Sequence, residues 1–176
     1  MESPRGAALK LRYDDTLRAF TVKRALPLGL TYPFDWGFIP HTVAEDGDPL
    51  DALVIHDSIT NPGIVLTCRA LGVVELSQDG KKGKRERNDR IIAVPLWHDR
   101  IGHFVHTPDI PRRLREEIEQ FFVSATFFTE KNPKILGWRG PRRATALIMA
   151  AEATYSNSGS AKKGVHNKNG KIRGRV

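Results

Sequence analysis

The sequence has a single cysteine, Cys68, so no disulfide can form within the chain. Its longest uninterrupted apolar run, Ala146 to Ala151, is six residues, where a membrane-spanning helix needs about 20. A transmembrane helix is therefore excluded. The first residues, Met1-Glu2-Ser3-Pro4-Arg5-Gly6, contain no apolar stretch like a signal-peptide core, and with the lone cysteine this predicts a cytoplasmic, reducing compartment. Acidic residues are missing from Asn157 to Val176, where six basic residues carry most of the net charge of +8. That segment is rich in Ser, Gly, Asn and Lys and has little to bury, so it reads as a disordered basic tail. The body before it is nearly balanced, which disfavours nucleic acid and membrane as partners. Neither Gly-x-Ser-x-Gly nor Gly-x-x-x-x-Gly-Lys-Ser/Thr occurs, removing serine-hydrolase and P-loop chemistry.

What is present is an ordinary globular composition, 40% hydrophobic and 27% charged over 176 residues, which predicts one domain over 1–155 and the tail over 156–176. The first half reads as five short strands, Leu9–Tyr13, Arg18–Arg24, Ala52–His56, Ile64–Leu76 and Arg90–Leu96, rich in β-branched and aliphatic residues and divided by turn residues. A further strand end is expected at Gly37–Ile39, and the polar stretch Gln78–Asp89 reads as a mobile loop. The second half changes to helical period. Leu114, Ile118, Phe121, Phe122 and Ala125 share one face of a helix begun near Asp109 and Pro111. A second helix starts near Pro141 and buries Ala144, Leu147, Ile148 and Ala151, with an extended piece at Lys134–Trp138 between the two. Strands followed by helices define an α+β domain, with a closed barrel and external helices as one way to bury them.

The densest chemical signal is Asp46-Gly47-Asp48-Pro49-Leu50-Asp51. Asp46 and Asp48, two apart, point to one side of an extended backbone, and a turn at Pro49 can bring Asp51 round to join them. Hard divalent cations such as Mg²⁺ take oxygen ligands, usually one or two carboxylates each. The hexapeptide alone fits a paired-metal cup and an Asp-rich solvated turn equally well. An EF-hand is excluded because its sixth loop position, a Gly, is Asp51 here.

With the upstream run Tyr32-Pro33-Phe34-Asp35-Trp36-Gly37-Phe38-Ile39-Pro40, this signature resembles that of the soluble inorganic pyrophosphatases of family I. The similarity extends from Glu2 through Lys10, Arg24 and Arg90–Pro95 to Phe121-Phe122 and Gly137-Trp138. The resemblance implies an OB-like five-stranded closed β-barrel with helices outside, hydrolysing pyrophosphate to two phosphates with Mg²⁺, and assembled as a homo-oligomer, a hexamer. By position it makes Asp46 and Asp51 metal ligands and Asp48 the acceptor of a proton from the attacking water. Lys10, Arg24 and Tyr32 hold phosphate oxygens, and Glu2 stands at the site margin. Those parts match what phosphoryl transfer needs: an in-line water, metal, and cations to offset the leaving group's charge.

Several positions depart from the family pattern. Arg12 stands where a carboxylate is expected, and Trp36 replaces a Tyr, keeping the aromatic wall but losing its hydroxyl. The acidic loop aligns with Gln78-Asp79 and Asn88-Asp89-Arg90, so Asp89 (or Asp79) is expected as the remaining metal carboxylate and Arg90 as the phosphate-binding cation. A Tyr-Lys pair aligns with Ala125-Thr126. Each lost contact predicts roughly 10- to 100-fold in rate or affinity. The rival readings are a repurposed relative that binds Mg²⁺ and phosphate compounds without efficient turnover, and a nucleic-acid module using barrel and tail. The aspartate cluster opposes the second. His98, His103 and His106 without a nearby cysteine or a His-Glu-x-x-His pattern read as surface or structural histidines rather than a zinc site, and Cys68 as a small buried hydrophobe.

Overall fold

The computed structural model describes residues 1–14, 16–80, 83–97, 104 and 106–166. The chain forms β1 (Leu9–Asp14), β2 (Ala19–Ala25), β3 (Asp35–Phe38), β4 (Asp51–Val54), β5 (Cys68–Asp79), β6 (Arg85–Arg87) and β7 (Arg90–Pro95). A 3₁₀ turn at Thr107–Asp109 leads into α1 (Arg112–Ser124), followed by β8 (Lys134–Arg139) and α2 (Pro141–His166). The α+β expectation is met. Strands β1 and β2 form a separate antiparallel hairpin, while the larger sheet runs β3-β4-β7-β5-β6, with β8 also paired to β5. Eight strands thus replace the five expected, and no ladder among the described residues closes the larger sheet on itself. The hairpin touches that sheet through a bridge between Ser3 and Trp36 and through the Leu11 N–H donating to Ser3 Oγ at 2.9 Å.

Alternation along the central strands sorts side chains into two cores. Leu53 of β4 and Ile92 and Val94 of β7 face Ile118, Phe121 and Phe122 of α1. Ala52 and Val54, with Ile91 and Ala93, face the other way onto Ala144 and Ala151 of α2. The sheet is therefore a middle layer between two helices, and β4 and β7, parallel to one another, read as continuous apolar runs because both faces are buried.

The segment Gln78–Asp89 is not simply a loop. β5 continues to Asp79 and turns back as β6, with Gln78 opposite Glu86 and Asp79 opposite Arg85. What holds this hairpin is charge rather than apolar alternation: Arg85 Nη1 lies 2.8 Å from Asp79 Oδ1, and Gln78 Nε2 donates to Glu86 Oε1 at 3.3 Å. Helix α2 likewise continues past the 155/156 boundary to His166. Hydroxyls that favour coil elsewhere are absorbed by it, Thr154 donating to the Ala150 carbonyl and Ser158 to that of Tyr155. The tail beyond 166, and His98 and His103 of the histidine cluster, lie outside the described residues. His106 opens the 3₁₀ turn, its N–H donating to Asp109 Oδ2 at 2.7 Å. None of the helices among the described residues is long and apolar enough to cross a membrane.

Gly72 marks the tightest approach in the sheet. It sits at an irregularity in the β5–β7 ladder, and Thr107 Oγ1 lies 3.0 Å from each of the Leu71 and Arg139 carbonyls beside it. A Cβ at Gly72 would press against Thr107 Oγ1 and the Arg139 carbonyl. Gly72→Ala is expected to destabilise the fold by about 2–3 kcal/mol, read as a lower urea midpoint with unchanged slope; a midpoint equal to wild type would show that β8 yields freely.

Candidate active site

The three aspartates of the signature are set by the connection between β3 and β4. Its two ends are tied by the Ile39 N–H donating to the Leu50 carbonyl at 2.9 Å and by Thr42, whose hydroxyl donates to the Ile39 carbonyl and accepts from the Leu50 N–H. Inside it, Gly47 has φ +87°, a conformation that side-chain-bearing residues rarely adopt, and Asp46 Oδ1 accepts the Asp48 N–H at 3.1 Å. The Val43 N–H donates to the Ala151 carbonyl, pinning the loop to α2. Asp51 then begins β4. In the parallel register that pairs Ala52 with Ile91, Asp51 falls beside Arg90, and the two form an ion pair at 2.5 Å.

Asp46, Asp48 and Asp51 line a cavity of 720 Å³ together with Glu2, Lys10, Arg12, Lys23, Arg24 and Arg90. Lys10 and Arg24 are register partners across the β1–β2 hairpin. A smaller hollow of 50 Å³ shares Lys10, Arg24 and Arg90 with the large cavity and adds Tyr32 and Trp36. The indole of Trp36 has cations on both Lys10 and Arg90, at 5.7 and 5.2 Å from the ring. Its Nε1 is buried and has no partner among the described residues, so the ring contributes faces rather than a donor.

Burial sets the protonation of this site. It lowers the Lys10 ammonium below its ordinary value, against the pull of Asp51, and it raises the Asp46 carboxyl, the neighbouring charge of Asp48 adding to the rise. Glu2 is raised by burial too, although its carboxylate accepts the Tyr13 N–H. The Tyr32 phenol is pushed up to about 12, first by burial, so it remains a donor at neutral pH.

Asp89 is the expected site residue that the structure does not bring in. Its carboxylate accepts the Leu76 N–H at 3.0 Å and both Arg87 Nε and Arg87 Nη2, at 3.1 and 2.9 Å. It lines another cavity with Arg87 and Arg143. Side chains alternate along an extended chain, so Asn88 and Arg90 face the 720 Å³ cavity, where Asn88 Oδ1 accepts from Arg90, while Arg87 and Asp89 face away. Asp79 is held by Arg85.

Beside Asp89, Glu75 joins three elements, contacting Arg87 at 3.1 Å, Arg139 at 3.1 Å and Arg143 at 3.4 Å. Burial alone would raise its carboxyl, but the arginines outweigh it and hold it below the ordinary 4.5. A lowered folded-state value means stability that is present above that pH and lost as pH falls through the folded value. The stability difference between wild type and Glu75→Gln, measured by urea unfolding, is expected to be full at pH 7 and to shrink as pH falls below 4.5 toward the lowered folded value; a gap independent of pH would remove the charge from the account.

Ala125 is buried in the core, and the Thr126 hydroxyl is turned to the carbonyls of Phe122 and Val123. Sequence reasoning missed the cation that the same connection does supply: Lys131 lines the cavity, as do Thr129, His41 and Tyr155, the last two with rings 5.3 Å apart. A lysine in the polar stretch before Pro133 was the available signal. The Cys68 thiol is pushed up to about 11 by burial, which fits a small hydrophobe rather than a nucleophile.

A cavity lined by both carboxylates and cations suits metal-assisted phosphoryl transfer. The family model for inorganic pyrophosphatase matches residues 1–156. The inorganic pyrophosphatase of a Nostoc species is 36% identical over 150 residues, covering 85% of this chain and 86% of its own. That of Thermus thermophilus is 37% identical over 158 residues, covering 88% and 87%. The crystal structure of the inorganic pyrophosphatase from Thermus thermophilus superposes with a TM-score of 0.82 at 35% identity, covering 89% of this chain and 88% of that one. The chain belongs to the inorganic pyrophosphatase family.

Proposed function

We propose that this protein hydrolyses inorganic pyrophosphate to two phosphates, using Asp48 as the group that takes a proton from the attacking water. The observation that carries this reading is the 720 Å³ cavity that Asp46, Asp48 and Asp51 line together with Lys10, Arg24 and Arg90. In the adjoining hollow, Lys10, Arg24, Arg90 and the Tyr32 hydroxyl hold phosphoryl oxygens, and their charge offsets what the leaving phosphate gains. Asp48, exposed at the cavity mouth, is open to water.

The donor set suits a hard divalent cation. The signature offers oxygens alone, and burial raises Asp46, so positive charge beside it is favoured. Among the described residues no three acidic, His or Cys side chains gather closely enough to form a ligand cage, which agrees with an ion that keeps most of its waters and takes one or two carboxylates. Asp46 and Asp51 would hold Mg²⁺, which when bound neutralises phosphate charge and lowers the pKa of water. Asp89 has no part in this set.

The test is phosphate release from pyrophosphate by the purified protein with and without Mg²⁺. Metal-dependent release supports the reading, and release no greater than that of an inactive variant sinks it. A homo-oligomeric assembly, expected from the family resemblance, is part of the same proposal. Its mass is measurable by light scattering, and a monomer at all concentrations would refute it.

A further inference from the structure

We propose that Arg12 is a substrate-holding residue of this site, an arm that rests on Asp48 in the free protein and moves to an oxygen of the attacked phosphoryl group when pyrophosphate enters. The inference deepens the pyrophosphatase reading and rests on it. Arg12 lies two residues beyond Lys10 on β1, so the two side chains leave the strand on the same side, about 6.5 Å apart along it. Both line the 720 Å³ cavity. From there the Arg12 guanidinium spans the mouth to the β3–β4 connection, Nη2 lying 3.2 Å from Asp48 Oδ1.

Exposure decides what that contact is for. The two side chains are 50% and 63% exposed, and an ion pair of such exposure is screened by water and adds little. A guanidinium held by a phosphoryl group makes charge-assisted, commonly bidentate bonds that are stronger than such a pair. Arg12 has five N–H donors, and one of them goes to Asp48. Exchange of the carboxylate for a phosphoryl oxygen is therefore favourable, and it places positive charge beside the phosphorus that the water attacks. The same movement leaves the Asp48 carboxylate free to accept the water's proton. No covalent step is added: the water oxygen bonds to phosphorus, the bridging oxygen leaves with its electron pair on the second phosphate, and one water proton passes to Asp48.

The experiment compares wild type, Arg12→Gln and Arg12→Lys in three readouts: kcat and KM for pyrophosphate, affinity for the non-hydrolysable analogue methylenebisphosphonate by calorimetry, and Tm. Arg12→Gln is expected to lower kcat/KM about 10- to 100-fold and to weaken the analogue about tenfold or more, with Tm almost unmoved. Arg12→Lys, keeping charge without the planar fork, is expected to recover part of both losses. If Arg12→Gln stays within threefold of wild type for both turnover and analogue, or if it turns over faster because Asp48 is released, the proposal is overturned. Inactivity of wild type on pyrophosphate would instead sink the functional reading.

Discussion

Asp48→Asn is expected to cut phosphate release from pyrophosphate by about 10²- to 10⁴-fold, the usual contribution of a positioned proton acceptor, while leaving the fold intact. An amide of the same shape cannot take the proton at neutral pH. Structurally, little depends on the carboxylate: Asp48 is exposed, and its side chain pairs with Arg12 at 3.2 Å. The loop is shaped by other atoms, the Asp48 N–H donating to Asp46 Oδ1 and its carbonyl accepting the Ala44 N–H. Loss of the exposed pair removes about 1 kcal/mol at most, or about 2–4 °C in Tm for a chain of this length. Turnover and Tm measured on the same preparation check this directly. Wild-type turnover in the variant would show that some other group takes the proton, and a collapse in Tm would show that Asp48 shapes the loop after all.

The sequence was easiest to read where one physical signal dominated. Ile118, Phe121 and Phe122 recur at helical spacing because α1 buries a single face, and β4 and β7 are unbroken apolar runs because both their faces are covered. The hairpin of β5 and β6 was hidden because its cross-strand pairs are Gln78 with Glu86 and Asp79 with Arg85, polar residues that read as loop. Asp89 falls outside the cavity for a different reason. Its residue type fits a metal ligand, but side-chain alternation gives it the face opposite to Arg90, and Arg87 and Glu75 have partners waiting there. Residue type was legible, whereas parity had to be taken from the strand. The far end of α2 was obscured because, among its described side chains, Ala144 and Ala151 are the buried ones, so no strong apolar period marks its length.

The largest loss of stability is expected from Asp35→Ala, at a position whose chemistry the signature conceals. Asp35 is wholly buried at the start of β3. Its Oδ1 accepts the Arg5 N–H at 2.8 Å, and its Oδ2 accepts the Thr60 hydroxyl and lies 3.0 Å from Nε2 of His56, itself buried. One carboxylate thus joins the N-terminal segment, β3 and the turn after β4. Removing one partner of a buried, hydrogen-bonded pair costs about 3–5 kcal/mol, since the remaining polar groups are left without it. Against a total stability of about 5–15 kcal/mol, that is a fifth or more. Thr60→Val, which deletes one donor and keeps the carboxylate, should cost about 1–3 kcal/mol. Urea unfolding orders the three proteins, and an Asp35→Ala midpoint within 1 kcal/mol of wild type would mean that water replaces the carboxylate. Asp35 does not line the catalytic cavity, so the activity of Asp35→Ala per folded molecule should stay near wild type at low temperature. Asp48→Asn should show the reverse, near-full stability with little turnover, and that opposition would separate the carboxylate proposed to take the proton from the one that ties the N-terminal segment, β3 and the turn after β4 together.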